Sequence, residues 1–455
     1  MSATKVKPRL IIHGGAGNIR RENMSAERYQ EYRDALIGIV ITTNQFMQTP
    51  KSTSSEKMGM SYIPSEYTYP TALESATHAV VQLENNPLFN SGHGAVFTRD
   101  GINELEASVM VSRGYAKRGV GVTGLRHVKN PILLAKAMLE HGDGDLDGKT
   151  DPGWSSTDQE VGAGLNVPSA QGHTLIHGAT AETLAKKYGL DLVAPSYFFT
   201  QKRWDEHISG LEREKQRKGV ASWSPDVFMP QGTVGGVALD ENGVVCVATS
   251  TGGMTNKLTG RIGDTPIVGA GFWAEEWTER HGSTRGGGGG MVDISRPIIE
   301  LSSTLQAFLA DCLPSPFLYS PVASSNSYGR DVVVTRSTAV SGTGNGDSFL
   351  RVAAARSVGS IARWTGSSSA EAVNKIAGRG GELEKSAGSR WGRTGEGEGG
   401  MIGIECAIAR DRSGAVLYTR SEIVQDHNCA GMFRAWIGDD GAPAMRIWHD
   451  EDGSS

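Results

Sequence analysis

Glycine-rich phrases that also carry hydroxyl and charged side chains are the best candidates for chemistry in this chain. They read HGGAG at 13–17, TSTGG at 249–253 and SGTGNGD at 341–347, and Thr233 follows Gly232 at the start of a strand-like segment. Glycine permits close backbone approach and positive φ, so such phrases often line ligand sites. A threonine hydroxyl is a poor nucleophile near neutral pH and needs a base beside it. Residue types alone therefore leave Thr233 open as a nucleophile or as an ordinary β-branched strand residue.

Two further motifs carry less weight. HGDGDLDGKT at 141–150 matches the acidic positions of a calcium loop, but Trp154 stands where the bidentate glutamate is required. Asp143 also replaces the first glycine of a phosphate-binding loop, so we favour a plain acidic loop. HGGAG is similar to the oxyanion motif of esterases, but the chain lacks the G-x-S-x-G phrase that would supply their serine.

Composition excludes several classes of partner. The 455 residues carry a formal charge of -5, which gives no electrostatic case for nucleic acid or a membrane surface. The sequence has no apolar run long enough to span a bilayer and no signal-peptide core near its start, so we expect a cytoplasmic protein. The cysteines are scattered without a CxxC pair, which favours reduced thiols. They are Cys246, Cys312, Cys406 and Cys429.

The elements that must position these residues can be predicted from hydrophobic periodicity and turn signals. Helices are predicted at 25–48, 70–86, 130–140, 179–189, 203–219, 347–364 and 369–378. Strands are predicted at 9–19, 94–99, 103–113, 117–123, 233–240, 243–251 and 331–340, with two more at the end. Inserted or loop segments are predicted at 49–68, 141–172 and 275–330, with a mobile Gly/Glu segment at 379–400. Grouped strands followed by grouped helices indicate an α+β fold.

The order of the glycine and threonine phrases is informative. The block 231–271 contains Thr233, Thr251, Arg261 and Asp264; LFNSGHGAVFTRDGINELEAS stands upstream and SGTGNGD downstream. This set strongly resembles the plant-type L-asparaginase/isoaspartyl aminopeptidase family of N-terminal-nucleophile hydrolases. The resemblance extends to IIHGGAG near the start, to 177–200 and to NCAGMFRAW at 428–436. It spans most of the chain apart from the insertions.

The resemblance implies a four-layer αββα sandwich and self-cleavage between Gly232 and Thr233. Residues 1–232, with a linker at 141–232, would form one subunit, and 233–455, with the insertion at 275–330, the other, within one composite domain. The free α-amine of the new N-terminus has a pKa near ~7.7–8.0, so it can serve as the base for the Thr233 hydroxyl. Gly232 suits the cut because glycine tolerates strained dihedral angles.

Other roles are carried over residue by residue. Thr251 matches the threonine that hydrogen-bonds the nucleophile, and Asn90 matches an asparagine near it. Arg261 and Asp264 match the pair that binds the substrate's α-carboxylate and α-amino groups. The remaining assignments are Thr343 and Gly344 for the oxyanion hole, Gly344 and Gly346 for the substrate pocket, and Leu83, Glu84, Asn86, Phe89, Ser91 and His93 for a main-chain sodium loop. No other cofactor is implied, and a dimer of cleaved heterodimers is expected.

The implied reaction releases aspartate from L-asparagine or from β-aspartyl dipeptides through an ester on Thr233. The chain departs from the family pattern in its long linker, in its insertions and in Asp347, where glutamate is usual. Threonine aspartases carry aspartate before the nucleophile and lack the equivalent of Asp264, so a protein-cleaving enzyme is a less favoured alternative. An unprocessed binding or scaffold protein on the same fold is a second alternative.

Overall fold

The described part of the chain is a mixed structure of helices and sheets, so the α+β prediction is confirmed. The computed structural model describes residues 6–52, 67–147, 167–216, 232–281 and 332–449. Its helices are α1 (Ala26–Gln48), α2 (Ala72–Asn85), α3 (Pro131–Asp147), α4 (Gly178–Lys187), α5 (Gln201–Gln216), α6 (Gly346–Val352), α7 (Ala354–Trp364), α8 (Ser369–Ala377) and α9 (Glu382–Ala387). Its strands are β1 (Arg9–Gly17), β2 (Lys51–Ser52), β3 (Tyr67–Thr68), β4 (Leu105–Val111), β5 (Gly119–Leu125), β6 (Leu175–His177), β7 (Val234–Leu239), β8 (Val245–Thr251), β9 (Phe272–His281), β10 (Val332–Gly344), β11 (Gly399–Arg410), β12 (Val416–His427), β13 (Gly431–Ile437) and β14 (Pro443–Arg446).

These strands form two principal sheets. Eight strands lie in the order β14-β13-β1-β7-β8-β4-β5-β6, and four lie in the order β12-β11-β10-β9. Neighbouring strands are antiparallel except β5 and β6. Strand β7 therefore lies near the centre of the larger sheet, between β1 and β8. Among the described strands, β2 and β3 form a separate two-stranded sheet.

Alternate residues of the central strands enter different hydrophobic cores. On β1, Leu10 and Ile12 pack with residues of α1, α2 and α3, whereas Ile11 packs with residues of the second sheet such as Ile402 and Phe272. The same alternation on β10 places Val340 against α6, α7 and α8. Side chains on a strand point alternately to its two faces, so burial on both sides requires a nearly continuous apolar sequence. This explains why VGGVAL on β7 shows no polar alternation.

The strand predicted at 94–99 does not form. Its main-chain groups bond partly to turns, as when Arg99 N–H donates to the Lys257 carbonyl at 2.8 Å, and partly to side chains. Asn90 Oδ1 accepts from the Val96 N–H at 3.0 Å. Asn103 Nδ2 donates to the carbonyls of Ala95 and Val96 at 3.0 and 3.1 Å. The apolar run GAVF lies in a buried extended loop, which local patterning cannot separate from a strand.

The predicted boundary at 141 is also wrong, because α3 continues through HGDGDLD to Asp147. Arg118 explains the extension: its Nη2 donates to the carbonyl of Leu139 at 2.6 Å and to Asp143 Oδ1 at 3.0 Å. Gly142 leaves the space for this guanidinium, since a Cβ there would lie 2.5 Å from Arg118 Nη1. The calcium-loop and acidic-loop interpretations both fail for 141–147, and the rest of that segment, up to 166, lies outside the described residues.

Three later predictions also need correction. Residues 275–281, predicted to begin an insertion, belong to β9 and pair with β10, while 282–330 lie outside the described residues. The helix predicted at 347–364 is interrupted at Ala353, whose φ of 46° is left-handed and separates α6 from α7. Segment 379–400 contains α9, and four strands follow it where two were predicted. Of the insertion predicted at 49–68, residues 53–66 lie outside the described residues.

Candidate active site

Thr233 lies directly before β7, at one end of a central strand. Its side chain is only 6% exposed, and its Oγ1 lies 2.7 Å from Oγ1 of Thr265, with either hydroxyl able to donate. Val234 pairs with Ser250 across β7 and β8, so the same register places Thr233 opposite Thr251. A buried sheet held on both sides is a rigid support for a nucleophile.

Gly232 fits its surroundings because it has no side chain. A Cβ on Gly232 would lie 2.4 Å from both the main-chain nitrogen of Ala16 and Oγ1 of Thr343. It would also lie 2.6 Å from Cα of Gly15, whose own φ is +118°. The peptide preceding Thr233 is thereby pressed between the HGGAG phrase on β1 and the end of β10.

Thr343 presents an unused hydroxyl to this peptide. Its Oγ1 is fully buried, and no hydrogen-bond partner for it is found among the described residues. An unpaired buried polar group costs about 1–3 kcal/mol, so its retention suggests a ligand or reacting group as partner. The next residue, Gly344, has φ +142°, and a Cβ there would lie 2.4 Å from the carbonyl oxygen of Glu398. A hydroxyl beside a glycine main chain suits stabilisation of a developing oxyanion.

The predicted carboxylate- and amine-binding residues also converge. Arg261 Nη2 lies 2.9 Å from Oδ1 of Asp347, the residue that follows Gly346 at the start of α6. Asp264 is 5% exposed, and a Cβ on Gly346 would lie 2.5 Å from its Oδ1. Gly346 therefore leaves room for the Asp264 carboxylate beside Arg261. The structure thus brings together an arginine, a buried aspartate and a glycine-lined space.

The electrostatic environment of Asp264 is unusual. Burial raises the pKa of its carboxyl to about 7, and the attraction of Arg261 offsets only part of that effect. Its Oδ2 is buried without a hydrogen-bond partner among the described residues. An ammonium group placed against this carboxylate would pair with the free oxygen and hold the group ionised.

A second buried charge pair supports the Arg261 segment. Glu106 on β4 lies 3.7 Å from Nζ of Lys257, and its Oε2 accepts from the Gly263 N–H at 3.3 Å. Lys257 Nζ also donates to the Glu104 carbonyl at 3.1 Å. Burial raises the pKa of Glu106 and lowers that of Lys257. These residues were not predicted from the sequence, although Glu106 and Lys257 both lie in the phrases that carry the resemblance.

Thr251 and Asn90 are close to one another through the turn that follows β8. Thr251 Oγ1 accepts from the Gly253 N–H at 3.0 Å, and Asn90 Nδ2 donates to the Gly253 carbonyl at 2.7 Å. Gly252 N–H donates to the Asn90 carbonyl at 3.1 Å. Asn90 thus fixes the TSTGG turn, while the hydroxyl in contact with Thr233 belongs to Thr265. The predicted contact between Thr251 and the nucleophile stays a prediction.

The predicted sodium loop begins in the last turn of α2, with Leu83 and Glu84, and continues as a tightly curled segment. A Cβ on Gly92, whose φ is +48°, would lie 2.3 Å from the carbonyl oxygen of Glu84, and one on Gly94 would lie 2.2 Å from that of Phe89. Carbonyls from both ends of the loop are therefore brought toward the same turn. Arg203 of α5, a residue that the sequence analysis missed, donates from Nε to the Gly94 carbonyl at 2.9 Å and is 1% exposed. The binding of sodium by these carbonyls stays a prediction.

One group of side chains elsewhere has the composition of a metal site. Asp426, His427 and His449 offer ligand atoms that all lie within 4.8 Å of one another. Burial first, and then the positive charges of Arg434 and other neighbours, lower the pKa of His427 to about 2. The positive charges of Arg434 and Arg379 near this imidazole oppose a bound cation. In the described ranges, no helix is long and apolar enough to cross a membrane.

Comparisons with known proteins point to the same chemistry. Residues 67–146 and 158–294 match a family model described as Asparaginase. The chain is 35% identical over 265 residues to the isoaspartyl peptidase of Escherichia coli strain K12, which covers 58% of this chain and 67% of that protein. It is 32% identical over 296 residues to a putative isoaspartyl peptidase/L-asparaginase of Dictyostelium discoideum, covering 59% and 70%. It is 32% identical over 277 residues to the plant-type L-asparaginase of Pyrococcus abyssi, again covering 59% and 70%.

Proposed function

The chain belongs to the asparaginase family of the isoaspartyl peptidases and plant-type L-asparaginases, as its sequence predicted, and we propose that it is a self-cleaving threonine hydrolase. Its substrates would be L-asparagine and β-aspartyl dipeptides, and its product aspartate. We further propose that the two sheets and their covering helices form the αββα sandwich of N-terminal-nucleophile hydrolases. The observation that carries the proposal is the convergence of three distant segments, in which Thr233 touches Thr265, Gly232 lies against Thr343, and Asp264 lies against Gly346.

Self-cleavage would create the base that the nucleophile needs. The Thr233 hydroxyl attacks the Gly232 carbonyl carbon, the C–N bond breaks, and the acyl group moves to oxygen while the nitrogen takes up a proton. Water then hydrolyses the ester, which leaves a carboxylate on Gly232 and a free amine on Thr233. That amine has a pKa near ~7.7–8.0, so a useful fraction is neutral at the working pH.

In the hydrolytic reaction, Arg261 and Asp264 would hold the α-carboxylate and α-ammonium groups of the substrate. The Thr233 hydroxyl gives its proton to the free α-amine of Thr233 itself and attacks the side-chain amide carbon of the substrate. The oxyanion is stabilised by the Thr343 hydroxyl and the Gly344 N–H. The leaving ammonia or amino acid takes the proton from the amine, and water releases aspartate from the resulting β-aspartyl ester. The orphaned Thr343 hydroxyl and the raised pKa of Asp264 support these assignments.

The loop at 83–93 would bind sodium through main-chain carbonyls, with a structural role that steadies Asn90. The close approach of Gly92 to the Glu84 carbonyl supports this proposal. We also propose that the cleaved chain assembles as a dimer of heterodimers.

The decisive test is the intact mass of the purified protein with time, beside a denaturing gel. We expect fragments 1–232 and 233–455 from the native sequence, a single chain from Thr233→Ala, and normal cleavage in a surface control, Thr278→Ala. Strand β1 of the first fragment lies between β13 and β7 of the second, so the fragments should stay together in native gel filtration. A native chain that stays uncut after long incubation would contradict the proposal and favour an unprocessed binding protein.

Substrate class is settled by assaying three substrates side by side with the cleaved protein. We expect ammonia release from L-asparagine or hydrolysis of β-aspartyl-leucine, because Asp264 and Arg261 offer partners for a free α-amine and α-carboxylate. A protein peptide cleaved after an ordinary aspartate should remain intact. Hydrolysis of that peptide alone would identify a threonine aspartase instead.

A further inference from the structure

We propose that Thr265 is a positioning residue for self-cleavage, whose hydroxyl holds Thr233 in the uncleaved chain and gives way to Thr251 after the cut. The inference rests on the proposed function. In the continuous chain, the hydroxyl that contacts Thr233 Oγ1, at 2.7 Å, belongs to Thr265. Thr251 stands opposite Thr233 in the β7–β8 register, yet its Oγ1 accepts from the Gly253 N–H.

Thr265 is held rigidly enough to orient another side chain. Its carbonyl accepts from Ser108 Oγ at 2.6 Å, and Ser108 Oγ lies 2.5 Å from Thr249 Oγ1, which ties the residue to β4 and β8. The side chain is 1% exposed, and a Cβ on Gly271 would lie 2.9 Å from the Thr265 Cα. A buried hydroxyl carried on a main chain that is tied to two strands loses little freedom when it binds a second hydroxyl.

The position of Thr265 suits an attack by the Thr233 hydroxyl on the peptide bond between Gly232 and Thr233. When the Thr233 hydroxyl donates to Thr265, a lone pair on its oxygen remains available for the Gly232 carbonyl carbon. The neutral Thr265 hydroxyl does not have to remove the proton, which ends on the Thr233 nitrogen as the C–N bond breaks. The Thr343 hydroxyl lies against Gly232 and has no hydrogen-bond partner among the described residues. It could therefore donate to the oxyanion that forms on the Gly232 carbonyl.

Cleavage changes what restrains Thr233. Before the cut, Gly232 is packed against Ala16 and Thr343 and fixes the nitrogen of the next residue. After the cut, that nitrogen is a free amine, and the side chain can move between its staggered rotamers. The hydroxyl of Thr251, on the adjacent strand, then becomes an available partner while Thr233 attacks a substrate. Self-cleavage would thus use the Thr265 hydroxyl, and substrate hydrolysis would use the Thr251 hydroxyl.

The test separates the rate of cleavage from the rate of turnover. Freshly made full-length protein is followed by intact mass, and ammonia release from L-asparagine is divided by the cleaved fraction to give kcat per cleaved chain. The variants are Thr265→Val, Thr265→Ser and Thr251→Val. Thr338→Val is the matched control. Thr338, on β10, is also fully buried, and its hydroxyl accepts from Ser369 Oγ at 3.0 Å. Thermal unfolding of every variant checks folding.

We expect Thr265→Val to slow cleavage by about 10- to 100-fold while kcat per cleaved chain falls by less than about threefold. Thr265→Ser should cleave within about threefold of the native rate, and Thr251→Val should lose turnover more than cleavage. Native-rate cleavage by Thr265→Val, or equal loss of both rates, would overturn the proposal. If valine disturbs folding, Thr265→Ala, which also lacks the hydroxyl, carries the same expectation and the same overturning outcome. Failure of the native chain to cleave would instead remove the proposed function itself.

Discussion

Asp264 meets two opposed physical demands. Its burial favours the neutral carboxyl, with the pKa raised to about 7, whereas recognition of a substrate ammonium requires the ionised form. The proposed function therefore makes binding depend on a group that changes charge near neutral pH. Because kcat/KM reports the titration of the free enzyme, this group should be visible in its pH profile.

We expect kcat/KM for L-asparagine to rise with pH through about 7 as Asp264 ionises. Asp264→Asn should abolish this rise of kcat/KM with pH. It should also lower kcat/KM by about 100-fold, because a charged hydrogen bond to the ammonium is lost. Asp347→Asn also removes a negative charge beside Arg261, and it should keep the rise. The limb due to the Thr233 amine would remain in both variants. An unchanged lower limb in Asp264→Asn would show that another group titrates there.

The sequence could predict which side chains converge but not every contact between them. Thr233, Arg261, Asp264 and Thr343 stand in phrases whose glycines predict close approach, and the structure brings these phrases together. Thr265 was missed although it follows Asp264 directly. Its contact with Thr233 depends on how the loop before β9 packs against β4, which no local pattern encodes.

At the level of elements, periodicity located most helices and strands but failed where distant groups satisfy the backbone. Asn90 and Asn103 hold the segment after the predicted sodium loop through side-chain hydrogen bonds, and Arg118 prolongs α3 beyond its apolar face. The loop itself was predicted only through the family resemblance. Its curled shape depends on Gly92, which allows a left-handed φ of +48° beside a carbonyl.

Gly92→Ala tests this loop, with Gly189→Ala as a matched control. Gly189 also has a left-handed φ, +70°, but its Cβ would meet nothing within 4 Å, so alanine there should cost only about 1 kcal/mol of unfolding free energy. At Gly92 the new Cβ would meet the Glu84 carbonyl, and we expect a loss of roughly 2–4 kcal/mol. Thermal unfolding in sodium chloride and in choline chloride should show a sodium-dependent rise in Tm that Gly92→Ala alone loses. A native Tm indifferent to sodium would contradict the proposed ion site.

In the molecule as a whole, buried acids and buried histidines affect stability in opposite directions. Burial raises the pKa of Glu84 and of Asp264 to about 7, so the stability they contribute is complete below their unfolded values of 4.5 and 3.8 and is lost as pH rises toward 7. Burial lowers the pKa of His13 to about 3 and, with nearby positive charge, that of His427 to about 2. Their contribution is complete above 6.5 and is lost as pH falls.

Taken alone, these four groups should offset one another between about pH 4.5 and 6.5, because each pair changes the unfolding free energy by roughly 3 kcal/mol per pH unit in opposite directions. Urea denaturation in the uncleavable Thr233→Ala background measures this with one continuous chain. Adding Glu84→Gln and Asp264→Asn removes two of the acids whose pKa burial raises, so the unfolding free energy should fall more steeply from pH 6.5 to 4.5 than in that background, by roughly 3 kcal/mol per pH unit. The exposed pair Glu382→Gln and Asp191→Asn serves as the control and should keep the pH dependence of that background. Parallel curves for the two double variants would show that the ionisation of Glu84 and Asp264 does not offset that of the histidines.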